Sequence, residues 1–111
     1  MKGGSDTMKI GEVLLLTTRG FSQIQPDIQA EILEEGLKRI QPKAPDFIIF
    51  DSKVTEEQKE DEGRSVRLPS RGKEKVYAKL DDFGSSEALS ESSGFKVNTR
   101  YALTFMLAEE Y

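Results

Sequence analysis

Residues 45–53 read PDFIIFDSK. A Pro-Asp followed by Asp-x-Lys is the spelling many metal-dependent nucleases use for an active site. It is also the spelling of a buried strand that begins and ends in polar residues. Strand geometry separates the two readings. Successive side chains alternate faces, so Asp46 and Asp51, five apart, point to opposite sides and cannot hold one metal. Asp51 and Lys53 do share a side. Phe47–Phe50 is therefore read as a core strand, with Asp51 and Lys53 at its carboxyl end.

Upstream lies a strand–helix pattern. GEVLLLTTRG (11–20) holds an unbroken apolar run from Val13 to Leu16. Its length and β-branched ends suit a strand buried on both faces. In PDIQAEILEEGLKRIQP (26–42), Ile28, Ile32, Leu33, Leu37 and Ile40 recur at helical spacing, with Glu31, Glu34, Glu35 and Lys38 opposite. Pro26 suits the first helical turn and Asp27 complements the helix dipole. Ser22 and Gln25 offer a capping box one turn earlier. Gly36 falls inside the apolar stripe, where its missing side chain allows close approach to a sheet. The segment from Arg19 to Pro45 is long enough for a crossover between parallel strands.

Downstream, SKVTEEQKEDEG (52–63) is polar and reads as a loop. Its Glu56, Glu57, Glu60, Asp61 and Glu62 lack the alternating ligands and central glycine of a calcium loop. RSVRLPSRGKEKVYAKL (64–80) reads as a hairpin with Ser70-Arg71-Gly72 at its tip. In it Val76, Ala78 and Leu80 face one way, and Lys73, Lys75, Tyr77 and Lys79 the other. DDFGSSEALSESSG (81–94) reads as a loop with at most one helical turn. FKVNTRYALTFMLAEEY (95–111) supplies a long C-terminal strand. The sum is an α+β domain: a mixed sheet of about five strands with one principal amphipathic helix on one face, in the order β-α-β, hairpin, C-terminal strand. Residues 1–8 read as a flexible leader or the remnant of a cloning tag, and 9–111 as a single α+β domain.

One helix covers one face of a sheet, yet three strands look apolar on both. The second face calls for a cover, either a second copy of the chain or residues 81–94 folded underneath. Composition narrows the function. The 111 residues include no histidine and no cysteine. That removes the usual general base, thiolate metal sites, disulfides and every Ser-His or Cys-His dyad. No run approaches a membrane span and no apolar signal core is present, which places the chain in the cytoplasm, with no membrane partner. No cofactor is implied. The net charge of −4 is uneven: residues 64–79 carry +5 and the remainder −9.

Three sites follow. The first is a ligand or anion site at the carboxyl ends of two parallel strands, formed by Thr18, Arg19, Asp51 and Lys53 beside a helix N-terminus; its plain counterpart is an Arg19–Asp51 ion pair. The second is a nucleic-acid surface of Arg67, Arg71, Lys73, Lys75, Tyr77 and Lys79, with an aromatic for stacking; its counterpart is a row of lysines guarding a sheet edge. The third is a metal-dependent hydrolase centred on Asp51.

TTRGFSQIQPDIQAEI, the helix it opens and DFIIFDS resemble a family of small uncharacterised proteins of Gram-positive bacteria and their mobile elements. Its members open with a strand ending in Thr-Arg-Gly, followed by a Pro-started amphipathic helix and an aromatic-rich strand beginning with Asp. The family has no assigned activity, so the resemblance implies nothing about catalysis. The expectation is a non-enzymatic module that binds itself, as a homodimer through the uncovered sheet face, and another protein. A nucleic-acid accessory protein and an Asp51 hydrolase are the alternatives.

Overall fold

The computed structural model describes residues 13–111; the leader expected at residues 1–8 lies outside them. Six strands form one mixed sheet. They are β1 (Leu14–Thr17), β2 (Phe47–Asp51), β3 (Gln58–Glu60), β4 (Ser65–Pro69), β5 (Val76–Asp82) and β6 (Tyr101–Leu107), in the spatial order β1-β6-β5-β2-β4-β3. Among the described residues three α-helices accompany them: α1 (Arg19–Ser22), α2 (Pro26–Arg39) and α3 (Ser86–Ser93). The expected α+β architecture with one long helix on a mixed sheet is what forms.

The helix α2 starts at Pro26 with Asp27 in its first turn and Lys38 and Arg39 in its last, each matching the sign of the helix dipole. The Ser22–Gln25 capping box does not form: Gln25 is the N-cap residue and makes no side-chain cap bond. Ile32, Ile40, Phe21 and Ile24 join Ile48, Phe50, Val66, Leu68, Val76, Ala78, Leu80, Leu103 and Phe105 in one core between α2 and the sheet. At Gly36 an added Cβ would stand 2.6 Å from the ring of Phe105, so the glycine is what lets α2 lie this close.

The hairpin expected at 64–80 is not formed. β4 pairs with β2 in parallel and β5 pairs with β2 antiparallel, so β2 lies between them. The reason is in β2 itself. Ile48, Ile49, Phe50 and Asp51 are all buried, and such a strand must satisfy both backbone edges inside the sheet. Residues 70–75 then bridge two strand spacings, roughly 10 Å, over the end of β2. The hairpin that does form is β3–β4. It turns through Asp61, Glu62 and Gly63, all at positive φ, inside a segment read from sequence as loop.

Two further readings change. β1 is not buried on both faces: among the described residues it is an outermost strand, and Leu15 is 42 % exposed. The segment 81–94 holds a two-turn helix, capped by the Ser85 hydroxyl at one end and left-handed Gly94 at the other. α3 lies against β6. Its Leu89 is 1 % exposed yet lies outside the α2-side core. The buried apolar residues of β6 also outside that core are Ala102 and Met106, which alternate with Leu103 and Phe105 and so face away from α2. Residues 81–94 thus supply cover for the second face.

Candidate functional site

The site expected from Thr18, Arg19, Asp51 and Lys53 divides in two. β1 and β2 do run parallel, but β6 and β5 stand between them. Three strand spacings, roughly 14 Å, separate their carboxyl ends.

At the end of β1, Thr18 is the N-cap of α1. Its hydroxyl accepts from the Phe21 N–H and donates to the Glu110 carboxylate at 2.5 Å. The same carboxylate accepts from the Gly20 N–H at 3.0 Å and the Leu107 N–H at 2.8 Å. The Thr18 hydroxyl bond first, then the two backbone bonds, hold the Glu110 carboxyl below its usual range. The anion expected at this helix start is the chain's own. Arg19 is exposed, and the Arg19–Asp51 pair does not form, because β6 and β5 separate the two strand ends; Asp51 has Arg67 and Lys75 beside it instead.

Asp51 is 7 % exposed. One of its oxygens accepts from the Lys53 backbone N–H at 3.0 Å, and the other from Arg67 Nη1 at 2.8 Å, with Lys75 Nζ at 4.0 Å. The Lys53 N–H first, then Arg67 and Lys75, keep the carboxyl low despite the opposing cost of burial. Lys53 contributes its backbone, not its ammonium. Arg67 also donates to Glu60, so the cluster is an ion-pair network across β2, β4 and β3. Among the described residues no group of three or more His, Cys, Asp or Glu side chains is placed to hold a metal.

The residues of the expected nucleic-acid surface lie in separate places. Arg71 reaches α2, where Glu31 accepts from it on both oxygens and Asp27 on one. Lys73 sits beside it, lining a recess with Ile28 and Gly72. Arg67 and Lys75 belong to the Asp51 network. Lys79 pairs with Asp81 at 3.2 Å. Tyr77 enters an aromatic group that sequence reading missed: its ring lies 5.0 Å from Phe47 and 5.5 Å from Tyr111, and Phe47 lies 5.9 Å from Tyr111. Strand alternation alone puts Phe47 on the face of Asp51 in β2 and Tyr77 on the face of Lys79 in β5. It does not announce the return of Tyr111 onto the sheet, through the turn at Ala108–Glu110.

A third feature emerges at the sheet margins. The Thr18 N–H donates to the Phe105 carbonyl at 3.1 Å. N–H and C=O directions alternate along a strand, so Leu14 and Leu16 also turn their backbone groups to β6. Leu15 and Thr17 turn theirs outward. Among the described residues no strand pairs with that side. β1 reads LLLT, with no charge, proline or glycine. The opposite margin, β3, is three residues of Gln58, Lys59 and Glu60. Short length and charge are the usual protections of a sheet edge. β3 has both, and β1 lacks the charge. Comparison of the chain with family models, curated proteins and solved structures finds no match.

Proposed function

We propose that this chain is a non-enzymatic binding module that works by accepting a β-strand at the open margin of β1. The observation that carries the reading is the outward-facing backbone of Leu15 and Thr17 on an uncharged, apolar edge strand. Strand addition supplies affinity through main-chain hydrogen bonds and selectivity through alternate side chains. The homodimer expected through the sheet face moves to the sheet edge in this reading. The second face already has cover from α3 and from Tyr111, whereas the edge has none among the described residues. A cytoplasmic setting fits a chain without cysteine; among the described residues no helix is long and apolar enough to cross a membrane.

The test is residue-resolved amide exchange on dilute protein, at about 5 µM. The amides of Leu15 and Thr17 are expected to exchange at near-unstructured rates while those of Leu16 and Thr18 are protected. Protection of all four at this concentration means that the chain covers its own edge, and the reading fails.

One observation favours a second reading, binding of single-stranded nucleic acid. Tyr111 is 69 % exposed over Phe47 and Tyr77, and an open recess there is also lined by Arg64 and Lys79. Asp46 and Asp61 line the same recess, and their charge opposes phosphate. Fluorescence anisotropy with labelled ten-residue oligo-dT at 50 mM salt decides. Binding lost in Tyr111→Ala supports this reading, and no binding removes it.

A further inference from the structure

We infer that the strand accepted by β1 is β1 of a second copy, antiparallel about a two-fold axis, joining two six-stranded sheets into one of twelve. This rests on the strand-addition reading and names its partner. The described residues leave two margins, β1 and β3, so a strand of a second copy seated on β1 is either its β3 or its β1. Placing β1 on β3 of the next copy makes a head-to-tail contact that does not close and grows into a filament. It also sets LLLT against Gln58-Lys59-Glu60, whose Glu60 carboxylate is already held by Arg67. Placing β1 on β1 closes at two copies and meets no charge on either strand.

The chemistry of β1 is self-complementary. In an antiparallel pair the outward N–H and C=O groups of Leu15 and Thr17 face the same groups of the partner, donor to acceptor. Leu15 projects on the α2 face and Leu14 and Leu16 on the other, by their register with Leu103, Ala102 and Thr104. Each is left partly exposed in one copy and would be covered by the same residues of the second. An axis normal to the sheet keeps both α2 helices on one side, so the α2-side core continues across the junction. A contact this short lies at the low end of interface sizes, where weak, reversible association is the rule.

Sedimentation velocity from 5 to 500 µM, with amide exchange at both limits, tests the inference. The expected result is a monomer–dimer equilibrium in which the Leu15 and Thr17 amides slow at least tenfold as dimer accumulates. Leu15→Lys, which puts like charges into the junction, is expected to raise the dissociation constant at least tenfold. Thr17→Lys does the same at a position already exposed, so it keeps the test valid should Leu15→Lys unfold. A monomer at 500 µM whose Leu15 and Thr17 amides stay fast overturns the inference while leaving the open edge, and hence the strand-addition reading, intact. A dimer that leaves those amides fast, or that withstands both lysine variants, also overturns it. Slow amides in the 5 µM monomer overturn the reading on which it rests.

Discussion

Replacing Gly36 by alanine pits two well-measured effects against each other. In a helix interior the change gains about 1 kcal/mol, because glycine loses more backbone freedom than alanine on folding. At this position the new methyl would stand 2.6 Å from Phe105 Cζ and 2.7 Å from Cε2. Carbon–carbon contact is comfortable at ~3.5–4.0 Å, so roughly 1 Å of room must be made. The Phe105 ring is fully buried and lies 5.6 Å from that of Phe21, which leaves it nowhere to turn. Overpacking of a filled core costs about 1–3 kcal/mol. The balance is a net loss of about 1 kcal/mol, read as a melting temperature lower by about 5 °C for a domain of this size. Urea denaturation followed by far-ultraviolet circular dichroism, on protein at 5 µM, measures it. The control is Phe105→Leu, which removes the ring edge. In that background Gly36→Ala is expected to become neutral or stabilising by up to about 1 kcal/mol, a coupling of about 1–2 kcal/mol between the two sites. Should Gly36→Ala stabilise the wild-type protein as well, α2 is not held against Phe105, and the account of why glycine stands there is wrong.

Two further outcomes test the second face and the Asp51 network. Leu89→Ala empties a buried position under the sheet and is expected to cost about 2–4 kcal/mol in urea denaturation; a loss below about 0.5 kcal/mol means α3 does not cover that face. The lowered pKa of Asp51 means its ionised form is favoured in the folded state, so its contribution is complete above the ordinary carboxylate range of about 4 and disappears as pH falls through the lower native value. The stability gap between the wild type and Asp51→Asn is therefore expected to be constant from pH 7 to about pH 5 and to narrow below about pH 4; a gap independent of pH down to 2 shows that Arg67 and the Lys53 N–H do not hold the carboxylate.

The anion expected beside Thr18 and Arg19 illustrates how a correct local reading gains a different meaning from the fold. Thr18 does cap a helix, and a carboxylate does sit there, but it is Glu110, some ninety residues along the chain. The basic segment went the other way. Its alternation was legible, with Val76, Ala78 and Leu80 inside and Tyr77 and Lys79 outside, yet the acids that bind Arg67, Arg71 and Lys79 come from β2, β3, α2 and the end of β5. Nothing local to residues 64–80 announces those partners, apart from Asp81 two residues beyond Lys79.

What the sequence determined by itself was everything that depends on period and on neighbours a few residues away: the amphipathic helix of residues 26–39, the inward face of β5, the core run of Phe47–Phe50, and the need for glycine at position 36. Strand partners were decided only in three dimensions. β2 has to be flanked on both sides because its backbone and both its faces are buried, and that requirement drives β4 and β5 apart although they are adjacent in the chain. It also leaves β1, whose apolar run looks as buried as that of β2, on the outside of the sheet with Leu15 and Thr17 turned to solvent. Periodicity records which face a side chain takes; which margin of a strand stays open depends on every other strand competing for the same hydrogen bonds.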